Sequence, residues 1–233
     1  MSRMGDSMSV QREVEIRSGQ YNLSGELIIP SGATGVVLFA HGSGSSRFSP
    51  RNQRVAWTIR DGSIGTLLFD LLTNEEEQID VRTRQLRFDI GLLAERLIDA
   101  TKWLAQQNEA AGLSVGYFGS STGGAAALVA AAELGTGVKA VVSRGGRPDL
   151  AGKSLKLVRS PVLLIVGGFD EQVIELNEQA YALLDCEKDL RIVPGATHLF
   201  EEPGTLEEVA RLATVWFATH LQPLRTRASG RTS

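Results

Sequence analysis

Residues 113–134 read LSVGYFGSSTGGAAALVAAAEL. The first six, 113–118, predict a strand, and residues 122–134, rich in alanine and stopped by Gly135, predict a helix. Between them stands Gly119-Ser120-Ser121-Thr122-Gly123. A strand that passes into a helix through so short a turn lifts the side chain at the apex above the sheet. The same turn leaves no room for a β-carbon two residues to either side, which accounts for Gly119 and Gly123. Gly124, Ala125, Ala126 and Ala127 then let the helix begin close against the sheet.

Outward from that stretch the chain alternates strands with helices. Residues 35–40 (GVVLFA) form a short apolar run bounded by glycine and His41-Gly42, the pattern of a strand covered on both faces. Residues 64–69, 138–143, 161–166 and 190–193 predict further strands of this kind. Residues 14–17 and 21–29 predict two adjacent leading strands, hence an antiparallel edge. Helices are predicted at 50–60 (Pro50 at the first position, after Ser49), at 84–107 with Leu86, Ile90, Leu93, Leu97 and Leu104 in helical spacing, at 172–184 and at 206–221. The fold class expected is α/β: a mainly parallel eight-stranded sheet with helices on both faces. The segment between Ser143 and Pro161 is too short for a cap domain.

Composition bounds the function. A chain of 233 residues with 42% hydrophobic and 22% charged residues supplies one sizeable core rather than two. The domain organisation expected is a disordered N-terminus at 1–12, a single domain at 13–222 and a disordered basic tail at 223–233 with Arg225, Arg227 and Arg231. A net charge of −3 argues against nucleic acid as a partner. Residues 1–19 contain no apolar signal-peptide run, and the longest oily run, 125–132, is too short to span a bilayer. The lone cysteine, Cys186, forms no internal disulfide, which fits a reducing compartment. A cytoplasmic protein without membrane or nucleic-acid partners is expected.

In a sheet of this type ligands bind outside the carboxyl ends of the strands. There the sequence places His41-Gly42-Ser43-Gly44, Gly119-Ser120-Ser121-Thr122-Gly123, Gly167-Gly168-Phe169-Asp170 and Pro194-Gly195-Ala196-Thr197-His198. A serine, an aspartate and a histidine thus end three different strands, in that order. Gly-x-Ser-x-Gly occurs twice, but Ser114 begins a strand, whereas Ser121 has a strand before it and a helix behind it. Ser121 is therefore the expected nucleophile. A serine hydroxyl needs a base. Of three histidines, His198 lies on a loop at the reactive edge, His220 at the end of the last helix, and His41 is expected to hold the loop that follows it. Asp170 is the expected orienting carboxylate, with Glu171 and Asp70 as rivals and a helix N-cap as its alternative role. The backbone N–H groups of Ser43 and Thr122 are the expected oxyanion donors. Arg144 and Arg147, after a strand end, are candidates for gripping a carboxylate or phosphate on the substrate, against a plain surface pair with Asp149 or Glu171. Glu75 to Glu77 are expected to form a solvated acidic loop.

Other readings of the glycines fail. Arg47 stands where a dinucleotide fingerprint needs its third glycine, and Ala125 where a phosphate loop needs its lysine. The histidines and the cysteine show no metal-ligand spacing, so neither cofactor nor metal is expected.

The elbow GSSTG, the HGSG loop, GGFDE and GATHLFEEPG together resemble the α/β-hydrolase superfamily, in particular its small, lidless dienelactone-hydrolase-like branch. The resemblance runs from about Val14 to Leu221. It implies an α/β-hydrolase fold and ester cleavage through an acyl-enzyme, with Ser121, Asp170 and His198 on the triad positions. Dienelactone hydrolases proper use a cysteine nucleophile, so Ser121 shifts the expectation to a carboxylesterase acting on small or short-chain esters. Similar modules are also known fused to phosphoribosyltransferases, a second domain not expected here. A thioesterase or acyltransferase would use the same triad, and a non-catalytic binding protein on the hydrolase fold is the alternative outside enzymes.

Overall fold

In a computed structural model, residues 9–222 are described. The expected disorder of residues 1–8 and 223–233 lies outside them. Eight strands, β1 (Val10–Ser18), β2 (Tyr21–Ile29), β3 (Gly35–Ala40), β4 (Gly65–Phe69), β5 (Ser114–Ser120), β6 (Val138–Arg144), β7 (Val162–Gly167) and β8 (Lys188–Val193), build one sheet. Their order is β1-β2-β4-β3-β5-β6-β7-β8. Strand β2 runs antiparallel to both β1 and β4, and every other neighbouring pair is parallel. The carboxyl ends of β3, β5, β7 and β8 therefore meet at one edge.

The described residues form six α-helices, α1 (Pro50–Asp61), α2 (Asn74–Thr83), α3 (Ile90–Leu104), α4 (Thr122–Leu134), α5 (Glu171–Leu183) and α6 (Thr205–His220), all but α2 packed on the sheet. Helices α1 and α6 close one face over Val37, Phe39, Phe118, Val142 and Ile165. Helices α3, α4 and α5 close the other over Leu38, Leu67, Tyr117, Val141 and Leu164. Burial on both faces explains why β3 and β7 carry no polar side chain, and β4 only Thr66. Between β6 and β7, Pro148–Leu157 forms short 3-10 turns and no cap domain intervenes. Among the described residues no helix is long and apolar enough to cross a membrane.

Three expectations need correction. Strand β1 begins at Val10, so residues 10–12 are ordered: they pair with Leu27 to Ile29 of β2. Arg12 is anchored through bonds to Gln107 and Glu109 at 2.8 and 2.6 Å. Glu75 to Glu77 are the first turn of α2, not a loop. The Thr73 hydroxyl accepts from the Glu76 amide while the Glu76 carboxylate accepts from the Thr73 amide, a reciprocal cap. The long helix expected at 84–107 is broken: Arg84 adopts φ 57° and ends α2, and α3 starts only at Ile90, capped by the Asp89 carboxylate.

Candidate active site

The elbow has the geometry its glycines imply. Ser121 sits at φ 50° and ψ −121°, a conformation rare for a residue with a side chain and one that costs on the order of 1–3 kcal/mol. The surroundings hold it there. Its N–H donates to the Arg144 carbonyl at 3.3 Å, and its carbonyl accepts from the amides of Gly124 and Arg147 at 3.0 and 3.1 Å. A β-carbon added at Gly119 would lie 2.5 Å from the Gly123 carbonyl oxygen, and one at Gly123 only 2.1 Å from that of Ala40. The neighbouring Ser120 hydroxyl donates to the side-chain oxygen of Asn52 on α1 at 3.1 Å. Ser114 is buried at the start of β5 and donates to the Gln222 carbonyl, as a strand residue would.

His198 and Asp170 meet at this edge. Nδ1 of His198 is 2.6 Å from Oδ2 of Asp170. An ionised carboxylate only accepts, so Nδ1 carries the proton and Nε2 keeps a lone pair. Asp170 is the N-cap residue of α5 but makes no side-chain cap bond, which leaves its carboxylate to the imidazole. Its rival Asp70 is paired with Arg47, and Glu171 lies in the first turn of α5. The His198 ring backs onto Gly145, where an added β-carbon would stand 3.5 Å from Cε1. Ser121 and His198 line the same cleft, of about 210 Å³, together with Ser43, Arg51, Asn52 and Arg144. His220 packs against Trp216, ring centres 4.5 Å apart and planes tilted by 58°, and is not among the residues lining that cleft.

Thr122 is the first residue of α4, so its amide stands at the positive end of that helix. The 41–44 loop runs alongside Ser121: a β-carbon at Gly42 would come within 3.1 Å of the Ser121 Cβ. The hydroxyls of Ser43 and Thr122 are 3.1 Å apart and tie this loop to the elbow. His41 holds it from behind, its Nε2 accepting from the Leu71 amide at 2.9 Å and its Nδ1 lying 3.1 Å from the Gly42 carbonyl. Burial pushes the His41 pKa below its ordinary value, against the opposing pull of the Gly42 carbonyl and Asp70. The imidazole is therefore neutral at neutral pH.

The two arginines part company. Arg147 grips Asp149 through two bonds of 2.8 and 2.7 Å and does not line the cleft. Arg144 is on the cleft wall, 6% exposed, its guanidinium 5.7 Å from the Phe200 ring centre. Burial, reinforced by the Arg51 charge, pushes its pKa down to about 10, so it remains charged at neutral pH. Arg51 and Asn52 also line the site and were not foreseen. Their signal was the start of a helix directly after the His41-Gly42 loop, which aims the first turn of α1 at the strand ends. A larger groove of about 510 Å³, between residues 149–156 and α5, is mainly leucine and lysine and shares no lining residue with this cleft. Among the described residues no group of three or more His, Cys, Asp or Glu is placed to hold a metal ion.

The model of the Dienelactone hydrolase family matches residues 62–221. The crystal structure of a dienelactone hydrolase from Anabaena variabilis ATCC 29413 is 58% identical, covers 92% of this chain and 100% of its own, and superimposes with a TM-score of 0.90. Two curated relatives from Mycobacterium tuberculosis, strains CDC 1551 / Oshkosh and ATCC 25618 / H37Rv, are 58% identical over 209 residues; their names contain the words phosphoribosyl transferase. That match takes in 90% of this chain but 46% of theirs, so the chain spans about half the length of these relatives. The esterase domain of a Rhodothermus marinus protein, 20% identical over 91% of this chain and 99% of its own with a TM-score of 0.70, shares the fold.

Proposed function

This chain belongs to the dienelactone hydrolase family, and from that premise we propose that it is a serine hydrolase cleaving small or short-chain carboxylic esters through an acyl-enzyme. The observation that carries the reading is the 2.6 Å contact between His198 Nδ1 and Asp170, made by an imidazole that shares its cleft with the strained Ser121. In the reaction, Nε2 of His198 takes the hydroxyl proton of Ser121 as Oγ attacks the ester carbonyl. Asp170 keeps the imidazole in the tautomer that can accept and stabilises the imidazolium that forms. The amides of Ser43 and Thr122 receive the oxyanion. The alcohol leaves with the proton from His198, and water repeats the sequence to release the acid. The short segment between β6 and β7 leaves the cleft open, which suits small substrates.

The transferase name of the mycobacterial relatives belongs to proteins about twice as long, and the part they share with this chain is the part that carries the hydrolase elbow. The reading is tested with a fluorophosphonate probe and a panel of p-nitrophenyl esters and acyl thioesters of varied chain length. Labelling and ester turnover that both vanish in Ser121→Ala support it. A wild-type protein that neither labels nor turns over any ester refutes it. Preferential turnover of the thioesters would move the assignment to a thioesterase with the same triad.

A further inference from the structure

Helix α1 opens into the active-site cleft: its N-cap Ser49 and the first-turn residues Arg51 and Asn52 line the wall. A helix of twelve residues carries about half a positive charge at that end, and no carboxylate stands in its first turn. The same cleft holds Arg144, 6% exposed, whose Nε and Nη1 have no hydrogen-bond partner among the described residues; Arg51 Nε is likewise buried and unpartnered. Contact with the face of Phe200 meets part of the charge of Arg144 but none of these N–H groups. Buried charges are normally paired, yet no Asp or Glu is among the described lining residues. The counter-charge nearest to hand, Glu201, meets Arg51 Nη1 at 3.2 Å from a position 64% exposed, a pair weak enough to be displaced.

We propose that this end of the cleft is a phosphate-binding subsite, and that the natural substrate is a small ester carrying a phosphate monoester group held by Arg144, Arg51 and the N-terminus of α1. A phosphate monoester brings about −1.5 to −2 charges and three acceptor oxygens, which matches two guanidiniums and a helix end. A carboxylate brings one charge and would leave one arginine unanswered. Helix N-termini and arginine forks both hold phosphate in proteins. The cleft, of about 210 Å³, runs from Arg144 and Arg51 to Ser121, so a phosphate held at the arginines and a short acyl group at Ser121 occupy one continuous space. What happens to the ester rests on the hydrolase reading; the binding of phosphate does not.

The test is calorimetric titration of the protein with inorganic phosphate at neutral pH and low salt, with acetate as the monoanionic comparison. Phosphate is expected to bind the wild type, to bind about tenfold more weakly in Arg144→Gln, and to outcompete acetate by a similar factor. Arg51→Gln, at a side chain 34% exposed, keeps the test decisive if the buried variant fails to fold, with a loss of at least threefold expected. Phosphate affinity untouched by either substitution, or acetate binding as tightly as phosphate, overturns the proposal. The two readings fail separately. Phosphate binding that depends on Arg144, in a protein that cleaves no ester, sinks the hydrolase assignment and sustains the subsite; active ester cleavage with phosphate binding indifferent to both arginines sinks the subsite alone.

Discussion

Asp170→Asn removes one charge and leaves the shape of the site nearly intact, so it isolates what the carboxylate does for His198. In the native protein Oδ2 lies 2.6 Å from Nδ1, a charge-assisted contact made by an aspartate side chain 17% exposed and a histidine side chain 39% exposed. An asparagine can answer in two ways. If its oxygen faces Nδ1, the tautomer is kept and only the charge is lost; the difference between a charged and a neutral acceptor, about 1.4 kcal/mol, is a tenfold loss. If its NH₂ faces Nδ1, the ring proton moves to Nε2 and the base can no longer accept from Ser121. That outcome approaches the loss of about 10⁴-fold, or ~5.4 kcal/mol, seen when a triad aspartate is neutralised. Asp170 makes no cap bond that would hold an asparagine oxygen inward, so the second orientation competes freely, and a fall in kcat of about 10²- to 10⁴-fold is expected. KM should change little, because Asp170 is not among the residues lining the cleft. The assay is p-nitrophenyl acetate hydrolysis with active-site titration, alongside a thermal melt to confirm folding. A folded Asp170→Asn protein that loses less than about tenfold in kcat refutes the assignment of Asp170 as the orienting group.

Gly123→Ala forces a β-carbon to within 2.1 Å of the Ala40 carbonyl oxygen; overpacking of about 1–3 kcal/mol or more should lower Tm by ~2–12 °C and slow fluorophosphonate labelling of Ser121, and an unshifted melt would contradict the steric account. His41 is held neutral in the folded protein by burial, whereas the unfolded chain takes up a proton below about pH 6.5. Stability should therefore fall as pH drops below about 6.5, and urea midpoints of His41→Gln should lose that part of the slope; parallel curves for the two proteins would show that His41 does not carry it. Breaking the ion pair between Arg96, 1% exposed at its side chain, and Glu76 by Arg96→Met should cost about 3–5 kcal/mol, and Arg96→Met with Glu76→Met should regain most of it, because the loss comes mainly from the stranded charge. Urea denaturation checks the pair, and a double variant no more stable than the single one would be the contrary result.

Most of the sheet was legible because its strands are covered on both faces, so that runs such as 35–40 and 161–166 carry no polar interruption. The elbow was legible for a related reason: contacts of 2.1 to 2.5 Å leave Gly119 and Gly123 no alternative, and the sequence must show them. Helix α2 was not. Among its ten residues only Asp80 is buried, so it presents no apolar stripe, and its one signal was the Thr73–Glu76 cap. The first residues of β1 escaped because Arg12 interrupts the apolar alternation, its charge being met by Glu109, 97 positions away. Arg51 looks like any exposed helical arginine until the fold brings it to the same cleft as Arg144. Periodicity reports whether a residue faces the core, and has nothing to say about a polar side chain that faces a cleft.

Much of what escaped the sequence reading is polar bracing of the reactive edge, built around a His41 whose hold on its loop was expected. The Leu71 amide donates to His41 and its carbonyl accepts from Arg96 at 2.6 Å, while Arg96 also holds Glu76 of α2. Buried Asp80 accepts from the amides of Leu86 and Arg87 and from the Arg87 guanidinium, fixing the segment whose Arg87 carbonyl lies 3.5 Å from the Ser43 hydroxyl. On the proposed mechanism the 41–44 loop must be held to a fraction of an ångström, yet it borders a polar cleft, so apolar packing cannot reach it from that side. Hydrogen-bonded ions can, because they fix direction as well as distance, at some cost in stability. The bonds join residues 6 to 44 positions apart with no repeat to betray them. Beyond the Asp170–His198 pair, the positions from which kcat is expected to fall without touching substrate are therefore Asp80, Arg96 and His41, and not the leucines and valines that hold the sheet together.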